Sequence, residues 1–282
     1  MKKILVPTDF SSNAYAALLY VSKLFKDEAL HVTILHSFSN EISLLTSRVD
    51  RGRSDTMIDK LYEQTNLDGK RLVEKITDNI TQKAHKFEVI TTPATLTTTI
   101  NKMVSSDGID LVVMGSKGRT EAENVLMGST TITISKSLVG CPLLIVPHEV
   151  NFAIPLNLAY ATDYQDFYQI SKLKPIVGLV RQYNSTLHIV HVGDENNLNA
   201  LQQQNLERYK NDLSEYNTVF HFLSKRGSIS NTLHEFSTSA EIDLVALVYH
   251  KHAFLKQLFR EPVVTRVGKQ TNSPTLIIPL SN

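Results

Sequence analysis

The sequence predicts an α/β protein built from two tandem, doubly wound domains, each with a five-stranded, mostly parallel sheet. Three observations predict this fold class. The chain has 282 residues, more than one domain usually holds. Four stretches of the first half recur in the second half. Within each half, short apolar runs alternate with segments of helical pattern, which is typical of a parallel sheet covered by helices on both faces.

The four stretches recur in the same order, and each pair bounds segments of similar length. The pairs are ILVPTDFS at 4–11 with LAYATDYQ at 158–165, LHVTILHSF at 30–38 with LHIVHVGD at 187–194, GIDLVVMGSKG at 108–118 with EIDLVALVYHK at 241–251, and GCPLLIVP at 140–147 with NSPTLIIP at 272–279. In the second pair, His36 is expected to correspond to His191. A repeat of this kind indicates one domain used twice. We expect the first domain over residues 1–147 and the second over residues 152–282.

The elements of the first domain follow from its apolar pattern. Strands are predicted at 4–7, 31–36, 87–90, 111–114 and 143–146. Asp9 and the serines behind it can cap a helix, and apolar residues follow at helical spacing: Ala16, Ala17, Val21 and Leu24. Further helices are predicted at 59–86, 100–104 and 129–138. Residues 39–58 are polar, hold three arginines and show no clear period, so we interpret them as a mobile connection.

The composition, 42% hydrophobic and 20% charged, is that of an ordinary globular protein. A net charge of +1 gives no reason to expect a nucleic acid or a membrane surface as partner. No apolar run is long enough for a signal peptide or a membrane span. The single cysteine, Cys141, cannot form an internal disulfide, which favours the cytoplasm. We interpret it as a packing residue, with a nucleophile as the alternative.

Polar residues and glycine follow the ends of three predicted strands. Asp9, His36 with Ser37, and Gly115 each lie just past an apolar run. In open sheets of this type, ligands bind beyond the carboxyl ends of the strands, where the strand order reverses. These residues are therefore predicted to lie at one edge of the sheet, around a ligand.

The loop MGSKGRTEAENVLMGSTT at 114–131 holds three of the eleven glycines of the chain. Glycines at 115 and 118 allow a sharp turn that exposes successive amides, and such a turn can bind an anion. Gly128 then opens a helix whose free N–H groups favour phosphate. The hydroxyls of Ser129 and Thr130 and the charges of Lys117 and Arg119 add to this. The loop thus predicts a phosphate site; the alternative is that the glycines merely mark a loop.

The spacing is neither that of a Walker loop nor that of the dinucleotide fingerprint. Gly115-x2-Gly118-x9-Gly128-Ser129 instead resembles the nucleotide-binding signature of the universal stress protein family. ILVPTDFS is similar to the opening strand of that family, and VMGSKGR and CPLLIVP to its fourth and closing strands. The resemblance covers both halves, and implies a tandem universal stress protein with Rossmann-like domains that binds ATP, with or without Mg²⁺.

The resemblance also implies a role for each matching residue. Around the adenine and ribose it places Pro7, Thr8, Asp9, Ser37, Met114 and Gly115. Around the phosphates it places Lys117, Gly118, Arg119, Gly128, Ser129, Thr130 and Thr131.

The second copy departs from this pattern, although Asp163 is retained. In place of Gly115, Gly118, Gly128 and Ser129 it has Val248, Lys251, Glu261 and Pro262. Side chains fill the turn and an acid stands where phosphate would bind, so we expect no ATP site there. Tyr249, His250 and His252 could suggest a metal, but loop histidines usually bind none, and we predict no metal site.

Three classes of function remain. The first is a nucleotide-binding module of stress response or signalling, without catalytic residues. The second is an enzyme of the same fold: a slow ATPase, or a nucleotidyl or phosphoryl transferase, for which Glu121 and Glu123 are the nearest candidates to approach Mg²⁺. The third is a scaffold without a ligand. The apolar strands PLLIVP and TLIIP are expected to pair in a pseudo-dimer of the two domains, and two chains to form a homodimer.

Overall fold

A computed structural model of the chain describes residues 1–46, 51–81, 84–118, 127–148, 150, 152–249 and 273–279. The chain divides into two compact units, Met1–Phe152 and Ala153–Asn282.

The first unit alternates strands and helices. Its elements are β1 (Lys2–Pro7), α1 (Ser12–Leu24), β2 (Leu30–Ser37), α2 (Ser39–Thr46), α3 (Arg51–Asn79), β3 (Lys86–Thr92), α4 (Leu96–Asp107), β4 (Leu111–Gly115), α5 (Ser129–Ser137) and β5 (Leu143–Val146). The strands lie in the order β3-β2-β1-β4-β5, and each neighbouring pair is parallel. The strand order therefore reverses between β1 and β4, and the ends of these two strands border the expected ligand crevice.

Burial explains why these segments form the central strands. The apolar residues Ile4 to Val6 of β1 and Val112 and Val113 of β4 are buried. Helix α1 packs on them through Ala17 and Val21. As predicted, it starts from a serine cap, since the Ser11 side chain accepts a hydrogen bond from the Ala14 N–H at 3.2 Å.

The interpretation of residues 39–58 as a mobile connection is wrong for 39–46 and 51–58, which are helical, and residues 47–50 lie outside the described residues. Helix α2 begins at Ser39, directly behind β2, and α3 already begins at Arg51. The Ile42 N–H donates to the Phe38 carbonyl, and the Ser43 hydroxyl to the Ser39 carbonyl. A helix as short as α2 shows no clear helical period in the sequence, yet its backbone can still satisfy its hydrogen bonds.

The second unit has the same order of strands. Its elements are β6 (Asn157–Ala161), α6 (Lys174–Tyr183), β7 (Thr186–Val192), a short 3₁₀ turn (Glu195–Asn197), α7 (Ala200–Asp212), β8 (Thr218–Leu223), α8 (Ile229–Ser239), β9 (Leu244–Tyr249) and β10 (Thr275–Pro279). Its strands lie in the order β10-β9-β6-β7-β8, again parallel. The predicted fold class is confirmed.

Candidate functional site

The turn behind β1 is held by its own side chains. The Phe10 N–H donates to the Thr8 hydroxyl oxygen at 2.9 Å, and the Ser11 N–H to Asp9 Oδ1 at 3.0 Å. Phe10 adopts a left-handed backbone with φ of 60°, which closes the turn. Asp9 is half-buried at this edge.

His36, at the end of β2, supports this turn from the neighbouring strand. Its Nδ1 lies 2.8 Å from the Thr8 carbonyl oxygen, and its ring centroid lies 4.7 Å from that of Phe10. The imidazole is buried, so it acts as a support for the Asp9 turn. Ser37 is the next residue, and its hydroxyl lies 2.7 Å from the Ala94 carbonyl, to which it donates.

The loop behind β4 is tied to the start of α5. The Gly128 N–H donates to the Ser116 carbonyl at 2.7 Å, and the Thr131 hydroxyl to the Gly115 carbonyl at 3.0 Å. The Ser116 N–H donates in turn to the Val146 carbonyl, at the end of β5. These bonds bring the turn at 115–118 and the helix start at 128–131 together, as the sequence predicts.

The glycines at 115 and 118 are needed for space. Neither has a φ in the left-handed region, so glycine is needed at these positions for the absence of a Cβ and not for a left-handed backbone. A Cβ on Gly115 would lie 2.8 Å from Asn13 Cγ, and one on Gly118 would lie 3.1 Å from Asp9 Oδ2. A side chain at either position must displace a polar group of the candidate site.

The N-terminus of α5 can face an anion. Gly128 is the N-cap residue and has no side chain that could cap the helix. The N–H groups of a first helical turn have no partner inside the helix, so they can bind an anion at this end. Ser129 and Thr130 are exposed beside them, whereas Thr131 is buried. The Thr131 hydroxyl already donates to the Gly115 carbonyl, so Thr131 has a supporting role in the loop.

The remaining predicted residues are placed as follows. Pro7 and Met114 are buried at the ends of β1 and β4, and Lys117 is half-buried in the loop. Ser37 belongs to β2 and bonds to the segment behind β3, away from the glycine loop. Arg119, Glu121 and Glu123 lie outside the described residues.

Asn13 is a residue of this site that the sequence analysis missed. It lies in the first turn of α1, and only 2% of it is exposed. Its Nδ2 donates to the Lys117 carbonyl at 2.7 Å, which links α1 to the glycine loop. Asparagine near a helix start is common, so its type gave no indication; its place four residues behind Asp9 could have drawn attention to it.

The second unit builds the same turn behind its first strand. The Tyr164 N–H donates to the Thr162 hydroxyl oxygen at 3.1 Å, and Tyr164 has a φ of 57°. The Gln165 N–H donates to Asp163 Oδ1 at 3.0 Å, and His191 Nδ1 lies 3.1 Å from the Thr162 carbonyl oxygen. The predicted correspondence of His36 and His191 therefore holds in the geometry.

Helix α7 covers this second turn. Gln202 Nε2 donates to the Asp163 carbonyl at 2.8 Å, and Asn205 Nδ2 to the Tyr164 carbonyl at 2.9 Å. Tyr164 is fully buried and packs against Tyr209 and His191. Val248 is half-buried near the end of β9. The predicted substitutions Lys251, Glu261 and Pro262, and the loop histidines, lie outside the described residues.

Cys141 behaves as a packing residue. The thiol is buried, and this burial raises its pKa to about 12. A thiol with such a pKa is not ionised at neutral pH, whereas a nucleophilic cysteine must be.

The described parts of the chain also bear on metal and membrane functions. No three side chains of His, Cys, Asp or Glu lie together there as a metal site would require. Among the helices of the same residues, none has both the length and the apolar character needed to cross a membrane.

Known proteins resemble the first half of the chain in sequence and the whole chain in fold. A family model described as "Universal stress protein family" matches residues 1–147. Universal stress protein MJ0577 of Methanocaldococcus jannaschii is 29% identical over 153 residues, which are 51% of this chain and 94% of that protein. Universal stress protein YxiE of Bacillus subtilis is 26% identical over 146 residues, 51% of this chain and 97% of that protein.

The crystal structure of a universal stress protein from Archaeoglobus fulgidus matches the fold with a TM-score of 0.67. This match covers 98% of both chains at 16% sequence identity, so it bears on the fold alone.

Proposed function

Because the chain belongs to the universal stress protein family, we propose that its first unit binds ATP and that the protein is a nucleotide-dependent module of stress response or signalling. The observation that carries this proposal is the start of α5 at Gly128, tied by the Gly128–Ser116 bond to a loop whose glycines leave little room for a side chain. Such a loop is a cradle for an anionic group.

The residues of the cradle have distinct tasks in this proposal. The amides at 117–118 and in the first turn of α5 donate to phosphate oxygens, and the exposed hydroxyls of Ser129 and Thr130 add further donors. Lys117 supplies positive charge. Asp9, whose Oδ1 accepts within its own turn, offers Oδ2 beside Gly118 as an acceptor for a ribose hydroxyl. Pro7, Met114 and Gly115 line the nucleoside side.

Binding is favoured over catalysis by the chemistry of the residues present. Hydrolysis or phosphoryl transfer needs a positioned base and a ligand for the metal that accompanies the phosphates. Asp9 lies on the nucleoside side of the cradle, and the candidates Glu121 and Glu123 lie outside the described residues. The enzyme of the same fold remains the second candidate, with slow ATP hydrolysis. A scaffold role suits the second unit, which would complete a pseudo-dimer in the chain, and two chains would form a homodimer in the cytoplasm.

Calorimetry of the full chain with ATP, with and without Mg²⁺, tests the proposal. Gly128→Glu introduces the acid that the second unit has at the corresponding position. We expect about tenfold or greater loss of ATP affinity, because a charge-assisted hydrogen bond contributes about 1.5–3 kcal/mol and the new carboxylate repels phosphate.

Gly178→Glu is the matched control, since Gly178 is exposed on α6 with open space around it. It should bind ATP like the unchanged protein. Equal ATP affinity in the Gly128→Glu variant would refute the cradle, and no binding by the unchanged protein would refute the function.

A further inference from the structure

A buried amide of α1, Asn13, contacts the glycine loop in two ways. Its Nδ2 donates to the Lys117 carbonyl at 2.7 Å, and its Cγ stands 2.8 Å from the place that a Cβ on Gly115 would take. The Asn13 side chain thus fixes the turn at Lys117 through a hydrogen bond, and it leaves no room for a side chain at position 115. Gly115 and Asn13 are therefore coupled.

The hydrogen bond to Lys117 also fixes the direction of the next amide. In a trans peptide, the carbonyl of one residue and the N–H of the next point to opposite sides. Because the Lys117 carbonyl points at Asn13, the Gly118 N–H points away from α1. Asn13 thereby orients an amide that the phosphate cradle would use.

The other polar atom of the Asn13 side chain faces the same region. Asn13 Oδ1 is buried and has no hydrogen-bond partner among the described residues. A buried polar atom without a partner is unfavourable, and native structures seldom keep one.

The second unit has no asparagine that corresponds to Asn13. Four residues behind Asp163 stands Phe167, which precedes α6 and lies outside any helix. Phe167 packs on Tyr209, with ring centroids 4.9 Å apart. The unit that lacks the asparagine also lacks the glycine, since Val248 stands for Gly115. The two residues are lost together.

We propose that Asn13 is a positioning residue of the nucleotide site, which sets the glycine loop for phosphate through the Lys117 carbonyl and requires glycine at 115. This inference rests on the proposed ATP binding. It assigns to Asn13 no contact with the nucleotide itself.

The experiment compares Asn13→Ala with Ser22→Ala in the full chain. Ser22 is a matched control because it is also buried on α1, and its hydroxyl donates to the Leu18 carbonyl at 2.8 Å, within the helix. We expect Asn13→Ala to bind ATP about tenfold more weakly, the effect of losing about one hydrogen bond of loop order. Ser22→Ala should bind ATP as the unchanged protein does. Equal affinity in all three proteins would overturn the proposal.

Two further readouts keep the test independent of ATP binding and of folding defects. Hydrogen exchange without nucleotide should show faster exchange at Ser116 and Gly128, whose N–H groups are hydrogen-bonded in the loop, in Asn13→Ala than in Ser22→Ala. If the unchanged protein binds no ATP, the proposed function fails, and this exchange alone decides the role of Asn13: equal protection overturns it.

The variants Gly115→Ala and Asn13→Ala/Gly115→Ala test the steric coupling. Gly115→Ala should lower the melting temperature strongly in the unchanged protein and weakly in the Asn13→Ala background; purely additive shifts would contradict the coupling. Asn13→Leu, which keeps the volume and removes the donor, is the second binding variant and should show the same loss of affinity; unchanged affinity would overturn the proposal.

Discussion

The two units have the same turn behind their first strands, but they differ in the residues at the ends of their fourth strands. The turns at Asp9 and Asp163 have two equivalent hydrogen bonds, and in each the residue behind the aspartate adopts a left-handed backbone. In each, a histidine of the neighbouring strand contacts the turn at the equivalent carbonyl. The loop behind β4, in contrast, pairs Gly115 with Asn13, and neither residue is kept in the second unit. The turn is thus common to both units, whereas the glycine loop is the feature in which they differ.

The surroundings of the shared turn point the same way. In the second unit α7 donates side-chain hydrogen bonds to the carbonyls of Asp163 and Tyr164, and Tyr164 is buried in an aromatic cluster. These contacts within the second unit stabilise the conformation of the turn at Asp163. A retained aspartate is therefore weak evidence for a retained nucleotide site.

The paired variants Asp9→Asn and Asp163→Asn have the largest expected difference. Asparagine keeps the oxygen that each turn uses as acceptor, so stability should change little in both. Asp9→Asn should weaken ATP binding about tenfold, because a charged acceptor for a ribose hydroxyl is lost. Asp163→Asn should leave ATP affinity, measured by calorimetry, as it was. Equal loss in the two variants would break the distinction between the units.

A smaller difference is expected in the response of the second unit to acid. His188 Nδ1 lies 2.9 Å from His221 Nε2, and burial lowers the pKa of both imidazoles below the ordinary value. The unfolded chain then binds more protons than the folded unit, so stability is present above about pH 6.5 and is lost as the pH falls through the lowered values. In the first unit, Thr33 corresponds to His188 and bonds to Glu88.

Hydrogen exchange of the β7 and β8 amides between about pH 7.5 and about pH 5, corrected for intrinsic rates, measures this stability. His221→Gln should make it fall less with acid, because one of the two shifted groups is gone. His234→Gln is the control, since that histidine is exposed. An unchanged pH dependence in His221→Gln would exclude the pair as the cause.

The sequence was sufficient to predict elements with a strong local pattern. The strands around Ile4 and Val112 are short apolar runs, and the serine behind Asp9 caps α1 as its type suggests. The repeat also predicted that His36 and His191 correspond, since both follow a strand that the repeat aligns.

What the sequence could not predict depends on contacts between distant residues. The reason for glycine at 115 is the side chain of Asn13, which lies far away in the chain and is brought near only by the packing of α1 on β4. Helix α2 has only eight residues, too few for its apolar residues to show a clear helical period in the sequence. The cover of α7 over the second turn likewise needs the folded chain, because Gln202 and Asn205 have nothing in their types that points to Asp163.

The stoichiometry of ATP binding to the full chain tests the central difference between the units most directly. Calorimetry of the intact protein should give one equivalent of ATP per chain, and Gly128→Glu should remove that equivalent without uncovering another. Two equivalents per chain would show that the second unit binds nucleotide, and one equivalent that persists in Gly128→Glu would show that the cradle at Gly128 is not the site; either result would contradict this account.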